Sequence, residues 1–153
     1  MSEPTLRLGI AITRVFEAPR EQVWREWTDP EAFADWFGGL DGVVPLSTVS
    51  MDVRPGGSWS MTMLAGPESR EINWHGVYRE VIEPERLVLT ISDQPNEERY
   101  ELLVVVLRPL QDDRTEMTFE QHGLMQPEEY ERAGSGWGAF FDRLNERVVA
   151  ARQ

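Results

Sequence analysis

The chain offers many strands and only one long helix to cover them, which limits the ways in which it can fold. Six consecutive segments carry strand-like patterns, and turns containing Gly, Pro, Asp or Asn separate them. These segments span 43–53, 58–64, 72–83, 86–92, 98–108 and 115–122. Their alternation of apolar and polar residues and their short connections predict an antiparallel meander with one buried face.

Two short helices are predicted between a first strand at 8–17 and this meander. Pro19 suits the first turn of a helix, and Asp29 is the expected N-cap of a second one. Apolar side chains follow at helical spacing in both, and Gly38-Gly39 ends the second. These side chains are Val23, Trp24, Trp27, Phe33, Trp36 and Phe37.

The last element is an amphipathic helix that starts near Pro127. Its apolar stripe, at spacings of three and four, consists of Tyr130, Gly134, Trp137, Phe141, Leu144 and Val148. The glycines at 134, 136 and 138 each cost roughly 1 kcal/mol relative to alanine inside a helix. We therefore expect a short first turn, a break near Gly134-Ser135, and a long helix over 135–151 with Ser135 as its N-cap.

These elements predict an α+β fold. A curved seven-stranded antiparallel sheet has one face to cover, and the C-terminal helix is the one long helix available, so the sheet should wrap around it. The two short helices after the first strand would then plug one end of the groove. A length of 153 residues predicts a single domain over 1–153.

Composition excludes several classes of catalytic centre. The chain has no cysteine and no lysine, since all 15 basic residues are arginine. Thiolate catalysis, cysteine-ligated metal sites, a Walker lysine and a pyridoxal-phosphate anchor are therefore excluded. The net charge of −12 argues against nucleic acid or anionic membranes as partners, and the longest apolar run, at 102–107, is too short to span a bilayer. We expect a cytoplasmic protein without a cofactor.

Aromatic and methionine side chains fall on the predicted inward faces, where they either line an apolar pocket or fill the core. A bent sheet around one helix leaves space, which favours a pocket. Gly134 and Gly138, near the buried stripe, could make room for a ligand or let the helix backbone approach the sheet. The candidate ligand-binding residues are Trp36, Trp59, Met61, Met63, Trp74, Tyr78, Glu80, Phe119, Gln121, Trp137 and Phe141.

Polar residues on apolar faces are a second source of candidates. Strand alternation puts Glu80 on the same face as Trp74 and Tyr78. Arg14 and Gln121 likewise share faces with apolar residues in the first and last strands. An Arg–Glu pair near the pocket would satisfy both charges and could hold a polar group of a ligand. The alternative is that these residues lie at strand ends, in contact with solvent.

The two histidines are the remaining groups for acid–base chemistry. His75 alternates away from the predicted inward face, and His122 ends the last strand beside Glu120. Glu120 and His122 could supply two metal ligands, which do not make a site, and the chain has no H-E-x-x-H pattern. We predict no metal site. Both histidines are expected at solvated strand ends, or in a local hydrogen bond in the case of His75.

The segment at 98–108 is apolar on both faces. Leu102, Val104 and Val106 share one face, whereas the outer face of a one-sided sheet should be polar. A second subunit covering this face would make the protein a homodimer. The alternative is coverage by a terminus or a loop of the same chain.

A set of motifs, in order along nearly the whole chain, resembles a known family. They are Ile12-Thr13-Arg14 through Ala18-Pro19, Val23-Trp24, Trp27-Thr28-Asp29-Pro30, Trp36, the segments 52–59 and 75–80 with Pro84, the segment 115–123, and Gly136-Trp137 ahead of Leu144. Motifs and element order are similar to the helix-grip fold of the START/Bet v 1-like (SRPBCC) superfamily, in the branch named after the activator of heat-shock protein 90 ATPase. The resemblance implies a hydrophobic cavity between sheet and long helix, in members that range from carriers to enzymes.

Three functional hypotheses follow from the residues and the resemblance. The first is a protein that binds a small apolar molecule between the sheet and the C-terminal helix. The second is an enzyme of cyclase or hydrolase type acting on such a molecule, with Glu80 or a histidine as its acid–base group. The third is a protein-interaction module of the co-chaperone type, although the co-chaperones that give the branch its name carry an additional N-terminal domain.

Overall fold

Eight strands pair into one antiparallel sheet within residues 6–39, 42–95 and 99–151, the part of the chain that the computed structural model describes. They are β1 (Arg7–Phe16), β2 (Gly42–Val43), β3 (Ser50–Met51), β4 (Ser58–Ala65), β5 (Arg70–Ile82), β6 (Arg86–Ile91), β7 (Glu101–Leu110) and β8 (Arg114–Gly123). The order across the sheet is β1-β8-β7-β6-β5-β4-β2, and β3 also pairs with β4. The predicted meander is confirmed, although residue 98, where its fifth strand was expected to start, lies outside the described residues.

Three α-helices accompany the sheet in the described part of the chain: α1 (Arg20–Thr28), α2 (Pro30–Trp36) and α3 (Pro127–Ala151). The Asp29 side chain caps α2 by accepting a hydrogen bond from the Ala32 N–H at 3.0 Å, as its sequence position predicted. The long helix α3 packs on the inner face of the curved sheet, which confirms the α+β helix-grip arrangement. No helix within the described residues is both long enough and apolar enough to cross a membrane.

The expected strand at 43–53 is wrong, which is why the sheet has eight strands instead of seven. A turn of 3-10 helix, Leu46–Thr48, separates β2 from β3. The Thr48 hydroxyl donates to the Pro45 carbonyl at 2.7 Å and accepts the Thr62 N–H of β4 at 3.1 Å. This hydroxyl closes the turn and ties it to the sheet, so the interruption is stabilised by side-chain hydrogen bonds.

The predicted break in the last helix is also wrong, because α3 is continuous through its glycines. Ser135 is not an N-cap, since its hydroxyl donates to the Glu131 carbonyl inside the helix at 3.4 Å. Tertiary contacts hold this part of the helix. Arg14 of β1 donates to the Gly138 carbonyl at 3.0 Å, and Trp137 is almost fully buried against the sheet. Packing therefore offsets the low helix propensity of the glycines.

Aromatic rings fill the space between the two short helices, α3 and the inner face of the sheet. Trp27 of α1 lies at the centre, 4.8 Å from Trp36, 6.2 Å from Phe119 and 6.1 Å from Phe141 between ring centroids. Each of these four rings is at most 2% exposed. The interior at this end of the fold is therefore a packed core.

Candidate functional site

A cleft of about 600 Å³ lies between the first half of α3 and the adjoining ends of β6, β7 and β8. Its apolar lining consists of Phe37, Trp74, Ile91, Leu124, Met125, Ala133, Gly136, Trp137 and Phe140. Its polar lining consists of Ser92, Asp93, Gln94, Arg99, Tyr100, Glu101, Gln121, Gln126 and Glu129. The cleft is the part of the groove between sheet and helix that the aromatic core does not fill.

Gln121 of β8 fixes one wall of this cleft. The side chain is 4% exposed, and its amide oxygen accepts the Trp137 indole N–H at 2.8 Å. Its amide nitrogen donates to a Glu101 carboxylate oxygen at 3.0 Å. Since both ends of the amide are engaged, the orientation of the Trp137 ring is set by a hydrogen-bonded chain from β7 to α3.

Glu101 extends this series of hydrogen bonds towards the start of α3. Its second carboxylate oxygen accepts the Leu124 N–H at 3.1 Å, and its carboxylate also accepts the Tyr130 hydroxyl. The Tyr130 oxygen in turn accepts the Met125 N–H at 3.2 Å. Burial and the bond to Glu101 raise the pKa of Tyr130 from 10.0 to about 12. The segment between β8 and α3 is thereby held against the end of the sheet.

Trp74 of β5 contributes the opposite wall. Its ring meets Phe37 edge-on, with centroids 6.3 Å apart. Its indole nitrogen is buried and has no hydrogen-bond partner among the described residues. An indole N–H can only donate, so this buried donor is left unsatisfied within the described residues.

The glycines of α3 leave open space instead of allowing a close approach to the sheet. A Cβ atom built at Gly134, Gly136 or Gly138 would meet no atom within 4 Å. Gly136 lines the cleft, with Ala133, Trp137 and Phe140 on the same helical face. The interpretation in which Gly134 and Gly138 allow a close approach to the sheet is therefore wrong, and since neither of them lines the cleft, room for a ligand at these two positions stays a prediction.

The structure brings three of the predicted ligand-binding residues to the cleft: Trp74, Gln121 and Trp137. Seven others are buried in the core instead: Trp36, Trp59, Met61, Met63, Tyr78, Phe119 and Phe141. Two of these have indole nitrogens paired within the protein, at 2.7 Å from Trp36 to the Glu26 carbonyl and 2.9 Å from Trp59 to the Thr90 carbonyl. A ligand contact at any of these positions stays a prediction.

The expectation that Glu80 shares the face of Tyr78 is wrong. Tyr78 pairs with Leu89, but Glu80 pairs with Val88, so the register of β5 against β6 shifts between them. Such a bulge inserts one extra residue and reverses which face the following side chains occupy. Glu80 therefore leaves the inner face, and its carboxylate accepts from Arg86 Nε at 3.0 Å.

Arg14 remains on the inner face, opposite Met117, but its partner is not Glu80. Its guanidinium lies 2.8 Å from the Asp142 carboxylate of α3, besides donating to the Gly138 carbonyl. The expected Arg–Glu pair at the pocket is thus replaced by two separate ion pairs. Arg14 links the edge strand to the helix, and Glu80 links β5 to β6.

Neither histidine lines the cleft. Nε2 of His75 lies 2.5 Å from the Gln94 carbonyl, the local hydrogen bond that was one of its two expected roles. Nε2 of His122 lies 2.8 Å from the Glu120 carboxylate. Within residues 6–39, 42–95 and 99–151, no three His, Asp or Glu side chains are grouped so that they could hold a metal ion.

Sequence reasoning missed most of the cleft. Ser92, Arg99 and Tyr100 lie at the ends of the predicted strands 86–92 and 98–108, but in the structure they belong, with Asp93, to the connection between β6 and β7. Strand alternation does not assign a face to residues outside the paired strands. Phe140 does carry a signal, because it follows Trp137 by three residues and Gly136 by four. A second helical stripe through these positions was available from the spacing alone.

The apolar outer face of β7 is partly covered by the chain itself. Leu102, Val104 and Val106 are each intermediate in exposure, and Val88 of β6, opposite Val104, is buried. A second subunit on this face stays a prediction.

Comparison with known proteins matches this architecture to characterised folds. Protein CV1439 from Chromobacterium violaceum is 27% identical over 91% of this chain and 95% of its own, with a TM-score of 0.80. Protein NE0264 from Nitrosomonas europaea is 25% identical over 95% and 96%, with a TM-score of 0.82. A protein from Silicibacter pomeroyi, 17% identical over 93% and 98% with a TM-score of 0.81, shares the fold.

No curated protein matches the chain. The sequence model of one family, described as Activator of Hsp90 ATPase homolog 1-like protein, matches residues 17–148. That span contains both short helices, the sheet from β2 to β8 and nearly all of α3. The chain therefore belongs to the Activator of Hsp90 ATPase homolog 1-like family.

Proposed function

We propose that this protein binds a small, largely apolar molecule in the cleft between α3 and the ends of β6, β7 and β8. The observation that carries the proposal is a space of about 600 Å³ walled by Phe37, Trp74, Trp137 and Phe140. Ligand sites in proteins are typically concave, mostly apolar, and within this range of volume. A few polar groups at such a site fix the orientation of the ligand.

The walls of the cleft are fixed before any ligand arrives. Gln121 holds the Trp137 ring through a 2.8 Å bond, and Glu101 holds Gln121 through a 3.0 Å bond. Phe140 also packs on Phe37, with ring centroids 5.0 Å apart. A preorganised apolar wall lowers the entropic cost of binding, which supports a binding role for this space.

A titration with Nile red, a neutral apolar dye whose fluorescence rises in apolar surroundings, tests the proposal. Gly136→Leu places a side chain into the cleft, because nothing lies within 4 Å of the missing Cβ. We expect this variant to bind the dye at least tenfold more weakly than the wild type. The matched control is Gly134→Leu, which makes the same change two residues away at a position that does not line the cleft.

Both substitutions replace a helical glycine with a better helix former, so both variants should fold, as circular dichroism can verify. Equal dye affinity in the two variants would place the dye elsewhere on the protein. Failure of the wild type to bind Nile red, or any of a panel of neutral lipophilic compounds, would contradict the proposed function.

A further inference from the structure

We infer that the apolar molecule bound in this cleft carries a cationic group, such as a protonated amine. The inference rests on the proposed function and adds to it the charge of the ligand. Among the described residues, the lining of the cleft holds the three carboxylates of Asp93, Glu101 and Glu129 and the one guanidinium of Arg99. An ammonium in the cleft therefore lies in a net negative field, which attracts it and repels an anion.

Glu101 contributes a charge that its neighbours stabilise without cancelling. Its carboxylate accepts hydrogen bonds from the Gln121 amide, the Leu124 N–H and the Tyr130 hydroxyl, all of which are uncharged. Arg7 has an electrostatic effect on Tyr130, but it does not line the cleft, and no ion pair joins it to Glu101 within the described residues. Because a charge acts over several ångströms, Glu101 favours a cation in the cleft without having to touch it.

Asp93 and Glu129 add negative charge from two further elements, the connection after β6 and the first turn of α3. Each accepts a hydrogen bond from an uncharged group, Asp93 from the Gln94 side-chain amide at 3.0 Å and Glu129 from the Gln126 N–H at 3.3 Å. Neither takes part in an ion pair within the part of the chain that the structure describes. Both residues are exposed, so salt screens their charges and the preference for a cation should weaken as the ionic strength rises.

The aromatic lining favours the same sign of charge. The rings that line the cleft are those of Phe37, Trp74, Tyr100, Trp137 and Phe140. Aromatic rings attract a cation over their faces and offer no such attraction to an anion. A ligand with an apolar body and an ammonium group therefore suits both the walls of the cleft and its charges.

Three fluorescent probes with the same ring system and different charges test the inference. At neutral pH, 1-pyrenemethylamine is a cation, 1-pyrenemethanol is uncharged and 1-pyrenecarboxylic acid is an anion. We expect the wild type at low ionic strength to bind the amine at least about tenfold more tightly than the acid, with the alcohol between them. Gly136→Leu should weaken the binding of all three, because the new side chain enters the cleft.

Removal of two charges from the cleft tests where the preference comes from. Asp93→Asn with Glu129→Gln keeps both hydrogen-bond acceptors and leaves one carboxylate against one guanidinium. We expect the ratio of amine affinity to acid affinity to fall at least about fivefold in this double variant. The matched control is Asp112→Asn with Glu128→Gln, which removes the same number of charges at positions that do not line the cleft. Asn tolerates the positive φ of residue 112, and this control should change the ratio less than about twofold.

The outcomes separate this inference from the proposed function. Equal affinities of the wild type for the three probes, or tighter binding of the acid, would overturn the inference while the proposed function stands. A fall in the ratio no larger than in the control would also overturn it, because the preference would then not come from the cleft. Nile red binding without binding of the amine would overturn the inference alone. If neither Nile red nor any pyrene probe binds, the proposed function and the inference fail together.

Discussion

Gly123, the last residue of β8, lies directly beneath the carboxylate of Glu101 on the neighbouring strand. A Cβ atom at Gly123 would overlap both carboxylate oxygens of Glu101. That carboxylate is held by Gln121, by the Leu124 N–H and by Tyr130, so it cannot swing away without loss of hydrogen bonds. The absence of a side chain at Gly123 therefore leaves the space that the Glu101 carboxylate needs to form the hydrogen bonds that connect β7 to α3.

Gly123→Ala should destabilise the protein by about 1–3 kcal/mol, because displacing Glu101 leaves polar groups unpaired at the edge of the cleft. Urea unfolding measures the change in the free energy of unfolding. An unchanged urea midpoint would contradict this prediction, because it would show that the structure accommodates the added methyl group. Gly123→Ala in a Glu101→Ala background is the control, since the overlapping carboxylate is then gone and the cost of the added methyl should largely disappear.

Stability in the alkaline range should depend on Tyr130. Burial, with the bond to Glu101, raises the pKa of Tyr130 from 10.0 to about 12 in the folded state. A raised pKa means that the neutral hydroxyl stabilises the fold fully below pH 10, and that this contribution is lost as the pH rises from 10 to about 12. The free energies of unfolding of the wild type and of Tyr130→Phe should therefore differ most at pH 9, and the difference should shrink as the pH rises above 10.

Burial also raises the pKa of Tyr78, so alkaline pH affects the wild type through both tyrosines. Subtracting the free energy of unfolding of Tyr130→Phe from that of the wild type at each pH leaves the contribution of Tyr130 alone. A stability difference between the two proteins that stays constant from pH 9 to 11 would contradict the assignment. Absorbance of the phenolate during an alkaline titration gives a second readout, in which Tyr130→Phe should lose a late-titrating group.

Gly134→Ala should raise the free energy of unfolding by about 1 kcal/mol, the difference in helix propensity. The added methyl meets no atom within 4 Å, so no clash offsets the gain. Gly9→Ala provides the contrast, because its methyl would overlap the ring of Tyr130 and should destabilise the protein. Thermal melts of the two variants should shift in opposite directions, and a destabilised Gly134→Ala would show that the glycine has a packing role.

Local patterns predicted the parts of the fold that local physics determines. The cap at Asp29 and the alternation of Trp59, Met61 and Met63 with polar residues depend on neighbours in sequence, and the structure has the cap and buries all three apolar side chains. Strand alternation likewise put Gln121 on the inner face. These predictions needed no knowledge of distant contacts.

The sequence predictions are wrong where contacts between residues distant in sequence determine the structure. The bulge after Tyr78 has no sequence signature, and it reversed the face of Glu80. α3 is continuous through its glycines where it receives a hydrogen bond from Arg14, which is 124 residues away in sequence from Gly138. The cleft itself is space that the rings leave unfilled, and side-chain periodicity assigns faces but not volumes. Only three of the predicted binding residues reach it for that reason.

An ion pair with a buried carboxylate joins α1 to the end of α3, and loss of its arginine should be costly. Glu26 is 6% exposed, and its carboxylate lies 2.5 Å from Arg147 Nε. Arg147 also pairs with Asp35 of α2, so one guanidinium connects all three helices. Arg147→Met removes the partner and leaves the carboxylate of Glu26 buried without compensation. We expect a loss of about 3 kcal/mol in the free energy of unfolding.

The double variant Glu26→Gln with Arg147→Met separates the pair from the packing of the Arg147 side chain. Because the uncompensated charge is then gone, it should recover at least half of the loss seen in Arg147→Met alone. Arg143→Met is the control, since its partners Asp35 and Glu146 are much more exposed than Glu26 and pairs in contact with solvent contribute less than about 1 kcal/mol. Urea unfolding in which Arg147→Met costs no more than Arg143→Met would show that the buried pair does not stabilise the helix junction.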